Sequence, residues 1–181
     1  MTRDEVGGVD AGLPLEFDGI DVNLPLAFGA FCLLHGARYQ AYAQYRLRDF
    51  AAARHVVRCA LGELLVAWPA ALTSEPAVVG WRILRRHLTV ALRGPAGAGH
   101  DTVHRLVPAP AADAAVLHLA LGLATDGIAD LMGCTPEHAR YWLLTFERHV
   151  VQHAGGELAA AVEELRAARP LRCKGRDALR P

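Results

Sequence analysis

The chain has 181 residues, 52% apolar and 21% charged, which is enough hydrophobic material for one large or two small packed domains and too much for wholesale disorder. Lys plus Arg and Asp plus Glu each total 19, so a uniformly basic nucleic-acid wrapper is excluded and any electrostatic footprint must be local. The charge is unevenly distributed: residues 1–25 carry a net −5, 26–94 a net +6, 113–165 a net −6 and 166–181 a net +5.

Residues 1–25 read as a flexible acidic leader, rich in Gly and Pro and without periodicity. Phe28, Phe31, His35, Tyr39 and Tyr42 then recur at helical spacing and predict a first helix over 26–48. A second helix is expected from the double apolar stripe Ala53, Val56, Val57, Ala60, Leu61, Leu64, Leu65 and Trp68, ended by Pro69. A third, over 76–93, sets Val79, Ile83, Leu84, Leu88 and Leu92 inward and Arg82, Arg85, Arg86 and Arg93 toward water. Residues 95–110 hold Pro-Ala-Gly-Ala-Gly and Val-Pro-Ala-Pro and are expected to be a linker.

Beyond it, a helix through Val116–Leu121 is expected to stop near Gly122, and a short one over 126–132 to start at a Thr125 cap. Gly133-Cys134-Thr135 turns the chain, and Thr135-Pro136 opens a helix reaching about His153. A last helix over 157–169 ends at Pro170 and leads into a basic tail. No alternating segment is long enough for a sheet, so the expectation is all-α: two helical domains, 26–94 and 111–155, followed by a C-terminal helix and tail at 156–181.

Two short helices joined by a tight glycine turn are the geometry of a helix-turn-helix, whose second helix enters the DNA major groove. The apolar set Leu117, Ile128, Ala129, Leu131, Ala139 and Leu143, with the Gly133 turn and the Thr135-Pro136 start, resembles the promoter-reading domain of bacterial sigma factors of the extracytoplasmic-function type. Residues 28–49 and the stripe 53–68 look like the first helices of the sigma core domain, and 81–93 resembles the helix that in the family meets the upstream-melting element of the promoter. The resemblance covers about residues 26–150 in the family's order. It implies a cytoplasmic, non-enzymatic transcription regulator with promoter DNA and RNA polymerase core as partners, and an anti-sigma protein or a second copy as further ones. Under it, Arg82, Arg85, Arg86 and Arg93 meet the DNA backbone while His138 and Arg140 approach base edges.

Two surfaces depart from the family. Its acidic, glutamine-bearing polymerase-docking face is replaced here by Arg54, His55, Arg58 and Cys59, and the second helix of the motif carries Glu137, Tyr141, Trp142, Phe146 and Glu147 among few basic groups. The alternative reading is therefore a sigma-like interaction module that contacts a partner through Arg54, Arg58, Trp142 and Phe146 without reading promoters. The cysteines, Cys32, Cys59, Cys134 and Cys173, are too scattered for a zinc pair or a disulfide framework. His149 with His153 and His100 with His104 stand at i, i+4 but lack a third ligand at fixed spacing, so no metal is expected. No phosphate loop, nucleophile elbow or paired carboxylate appears, and no cofactor or enzymatic activity is expected. Nor is there a secretory apolar stretch, or a run of the roughly 20 apolar residues that a membrane helix needs.

Overall fold

The computed structural model describes residues 25–94, 102–153 and 156–168, and among them every regular element is a helix and no strand occurs. The expected leader, apart from Pro25, and the basic tail from residue 169 lie outside the described residues. Helix α1 (Leu26–Leu47) buries Phe28, Phe31, His35, Tyr39 and Tyr42, as their spacing predicts. It ends at Arg48, which turns left-handed with φ of 55°. Asp49 then starts α2 (Phe50–Val66), its carboxylate accepting a hydrogen bond from the Ala52 N–H at 3.0 Å and so satisfying a free donor of the first turn.

The end of α2 differs from the expectation. It stops at Val66, and Trp68 belongs to a separate one-turn helix, α3 (Trp68–Ala71). Pro69 lies in that helix's first turn, where a missing N–H costs nothing, so it starts a helix rather than ending one. Trp68 is buried edge-on against Phe28 and Phe31, with ring centroids 5.1 and 5.5 Å away. Helix α4 (Pro76–Leu92) crosses α1 and α2 at Gly80, where an added Cβ would lie 2.9 Å from both Phe31 Cζ and the Tyr39 hydroxyl. A side chain here would force those two rings to shift, so glycine suits the close crossing.

The segment expected to be a linker is helical over its described part. Helix α5 (Thr102–Leu106) is followed by α6 (Ala109–Ala115), and Val103 and Val107 are buried in the core. Pro108 and Pro110 had the look of breakers, but Pro108 is the residue before α6 and Pro110 sits within its first turn, both starting positions. A wide π turn (Val116–Ala120) continues α6. Helix α7 (Thr125–Met132) is capped by Ala124 without a side-chain bond, so Thr125 is its first residue rather than its cap. Helix α8 (Pro136–Gln152) starts as predicted: the Thr135 hydroxyl accepts from the His138 N–H at 3.3 Å. Helix α9 (Glu157–Ala167) closes the described chain.

The buried apolar side chains form one continuous cluster, from Phe28 on α1 to Leu165 on α9. It crosses the boundary expected between the halves, because α4 packs on α7 and α1 on the π turn, while α9 lies against α5 and the π turn. In α6, Ala111, Ala112, Ala114 and Ala115 are all buried, and their small side chains let this helix run deep between its neighbours. One buried residue in that stretch is not apolar: Asp113.

Candidate functional site

Helices α7 and α8 form the bihelical corner expected around Cys134. Gly133 makes the turn with φ of 66°, and its backbone rests on the first turn of α4: a Cβ there would lie 2.6 Å from Val78 Cγ2 and 2.8 Å from the Ala77 carbonyl carbon. Helix α8 buries Ala139 and Phe146 against α6 and α7 and leaves Glu137, His138, Arg140, Tyr141, Leu144, Glu147, Arg148 and Val151 exposed. His138 stacks on Trp142, the rings 6.2 Å apart and 20° from parallel. The Glu137 carboxyl is held below its ordinary value by the backbone N–H in its own first turn and by the Thr135 hydroxyl.

Of the side chains expected at a protein contact, Arg54 and Arg58 are exposed on α2 and Trp142 is half-buried. Phe146 is 4% exposed and fills the core, because the face it shares with Ala139 is the one that α8 turns to α6 and α7. It is an interior residue rather than a contact residue. The exposed apolar side chains of α8 are instead Tyr141, Leu144 and Val151.

The α4 arginines divide. Arg82 and Arg93 are exposed. Arg86 is ion-paired with Glu63 of α2, whose other carboxylate oxygen lies 2.9 Å from His87 Nε2. Hydrogen bonds from Arg86 and then His87 hold the Glu63 carboxyl below its ordinary value. Arg85, expected to face water, keeps about a third of its side chain there (37% exposed) and brings Nε to 2.9 Å from Asp113 Oδ2. A buried carboxylate draws it there.

Asp113 has no exposed surface, and burying a carboxylate is costly unless charge and hydrogen bonds compensate. Tyr42 donates its hydroxyl proton to Oδ1 at 2.5 Å, and His104 Nε2 lies 2.7 Å from the same oxygen. The same His104 nitrogen also lies 2.9 Å from Arg46 Nη1, so the imidazole sits between a guanidinium and the carboxylate. Arg46 Nη1 donates to the Tyr42 oxygen at 2.8 Å and stands 3.7 Å from Oδ1, which makes a relay from guanidinium through phenol to carboxylate. The contact with Arg85 is ionic only, and Oδ2 receives no hydrogen bond. Asp113 thus joins α6 to Tyr42 and Arg46 on α1, Arg85 on α4 and His104 on α5.

Above this junction opens a cavity of about 310 Å³, lined by Arg46, Arg85, Thr89, Leu92, Arg93 and His104 among others. Sequence reasoning did not assemble this group. Tyr42 read as core and His104 as part of a linker. The one available signal was Asp113 itself, a lone acid between pairs of alanines in an apolar run, since such a group must find cations when the run is buried.

Burial pushes the Tyr39 hydroxyl up, and burial together with the Asp113 charge pushes Tyr42 well above its ordinary value. Above pH of about 10 the unfolded chain releases phenolic protons that the folded chain keeps, so stability is present below that pH and falls as pH rises through it. Urea melts should lose about 1.4 kcal/mol per pH unit for each of these tyrosines over that alkaline range. Tyr39→Phe and Tyr42→Phe should each flatten the slope, and an alkaline profile no steeper in the parent than in the double variant would contradict the burial of these hydroxyls.

Among the described residues no group of His, Cys, Asp or Glu gathers as a metal site. No described helix is long and apolar enough to cross a membrane. The chain matches no protein-family model, curated protein or solved structure.

Proposed function

We propose that the chain is a sigma-factor-like transcription regulator, acting by binding rather than by covalent chemistry, and that α8 is its docking helix on promoter DNA. The observation that carries this is the bihelical corner: a short helix, a left-handed glycine turn, and a Thr-capped second helix exposed along its outer face. His138 and Arg140, near the start of α8, are the side chains for base edges, and both are exposed. Arg82 and Arg93 are the groups for the DNA backbone, since Arg85 is engaged by a buried carboxylate. Arg86 joins them at small cost, because its pair with Glu63 is on the surface and surface pairs contribute little.

Each phosphate neutralised releases counterions, so affinity for a duplex falls linearly on a log–log plot against salt. Replacing Arg82, Arg93 and Arg140 together by Ala should flatten that slope by about 2–3 units. An unchanged slope would remove these side chains from the DNA contact. Retention of the chain on immobilised RNA polymerase core tests the polymerase half of the reading.

A second reading has one specific observation behind it. The exposed face of α8 holds Glu137 and Glu147 against Arg140 and Arg148, with no net charge, and exposes Tyr141, Leu144 and Val151 beside them. That composition suits a protein partner, whether polymerase, an anti-sigma protein or a second copy. Leu144→Asp would abolish such binding and leave the salt slope on DNA intact.

A further inference from the structure

We infer that the cavity above Asp113 is a binding site for a small phosphomonoester, one that shares Arg93 but not Arg82 with the proposed DNA contact. It measures about 310 Å³, the lower end of the range that holds small ligands. Its wall brings Arg46, Arg85 and Arg93 together from α1, α4 and the end of α4, with the carboxylate of Asp113 beneath. Arg85 and Arg93 make this wall cationic, which favours an anionic ligand with several acceptor oxygens, as a phosphomonoester has.

Arg46 and His104 have further partners, so the donors left for a ligand are those of Arg85 and Arg93. Arg85 offers a two-pronged fork. Its Nε is held at Asp113 Oδ2, and no described residue bonds its two Nη groups. Arg93 makes no ion pair among the described residues and closes the other side of the cavity. Two guanidinium groups facing one cavity suit the several acceptor oxygens of a phosphate, which they bind in bidentate fashion. The ion pair with Asp113 keeps Arg85 beside the cavity and so lowers the cost of ordering it around a ligand. Half-buried Leu92 gives the ligand's uncharged body an apolar rest beside the charges.

The test uses the full chain and inorganic phosphate as the probe, read by the shift in Tm at constant ionic strength with chloride as the control. Saturable stabilisation by phosphate beyond chloride is expected, since any ligand bound only by the folded state raises Tm. Arg93→Ala should weaken the apparent phosphate affinity about tenfold or more. Arg93→Gln should do the same, while Arg82→Ala, on the same helix but outside the cavity, should leave it unchanged. Phosphate stabilisation equal to that of chloride overturns the site, and so does a phosphate affinity that Arg93→Ala does not weaken. A short duplex run in parallel separates this from the regulatory reading: protection by duplex without saturation by phosphate defeats the pocket and leaves the regulator standing, and the reverse result does the opposite.

Discussion

Gly133→Ala should lower the stability of the fold by about 3 kcal/mol or more, read as a drop in the urea midpoint at unchanged slope. Two costs combine at this position. The φ of 66° is one that an L side chain adopts only with strain, at about 1–2 kcal/mol. The added methyl would also press on the Val78 side chain at 2.6 Å and on the Ala77 backbone at 2.8 Å. Backbone of a helix's first turn has no rotamer by which to move aside, so α7 and α8 must shift away from α4. Gly127→Ala is the control: it lies within α7, its Cβ would meet only Leu123 at an ordinary 3.9 Å, and alanine there should be neutral or stabilise by up to about 1 kcal/mol. Equal effects of the two substitutions would show that the corner does not rest on α4.

Asp113→Ala should cost about 3–5 kcal/mol, because it leaves the Arg46, Arg85 and His104 groups gathered around a vanished anion. The penalty is greater than the net worth of the bonds it removes, since cations held in a buried junction lose both partner and water. Tyr42→Phe alone removes the donor to Oδ1 and should cost about 1–2 kcal/mol. In the background of Asp113→Ala the same change should cost little, for the acceptor is already gone. A double-mutant cycle should therefore return a coupling of about 1 kcal/mol or more. Strict additivity of the two changes would mean that phenol and carboxylate do not act together.

Most of the helices were legible because their ends are set by neighbours in sequence. Asp49 caps α2 through the Ala52 N–H, and Thr135 with Pro136 starts α8, each within a single turn of chain. The prolines show the limit of that legibility. Pro69 and Pro110 signal a boundary, but a boundary is as much a beginning as an end, and α3 and α6 begin there.

The site was less legible, for a different reason. The pattern on α4 shows Arg85 and Arg86 lying off the apolar stripe, and says nothing of which distant group each will meet. Arg86 meets Glu63, Arg85 meets Asp113, and Arg82 meets water.

By itself, then, the sequence determined an all-α chain, the faces its helices bury and the glycine corner before α8, because periodicity and capping act over three or four residues. Only the tertiary structure decided that Asp113 lies at the centre of a cationic junction, that Arg85 pairs with it and that Phe146 faces inward. Tyr42 and Asp113 stand 71 residues apart, and a pairing over that separation is chosen by how whole helices pack. A buried charge then takes whichever partners that packing brings within reach.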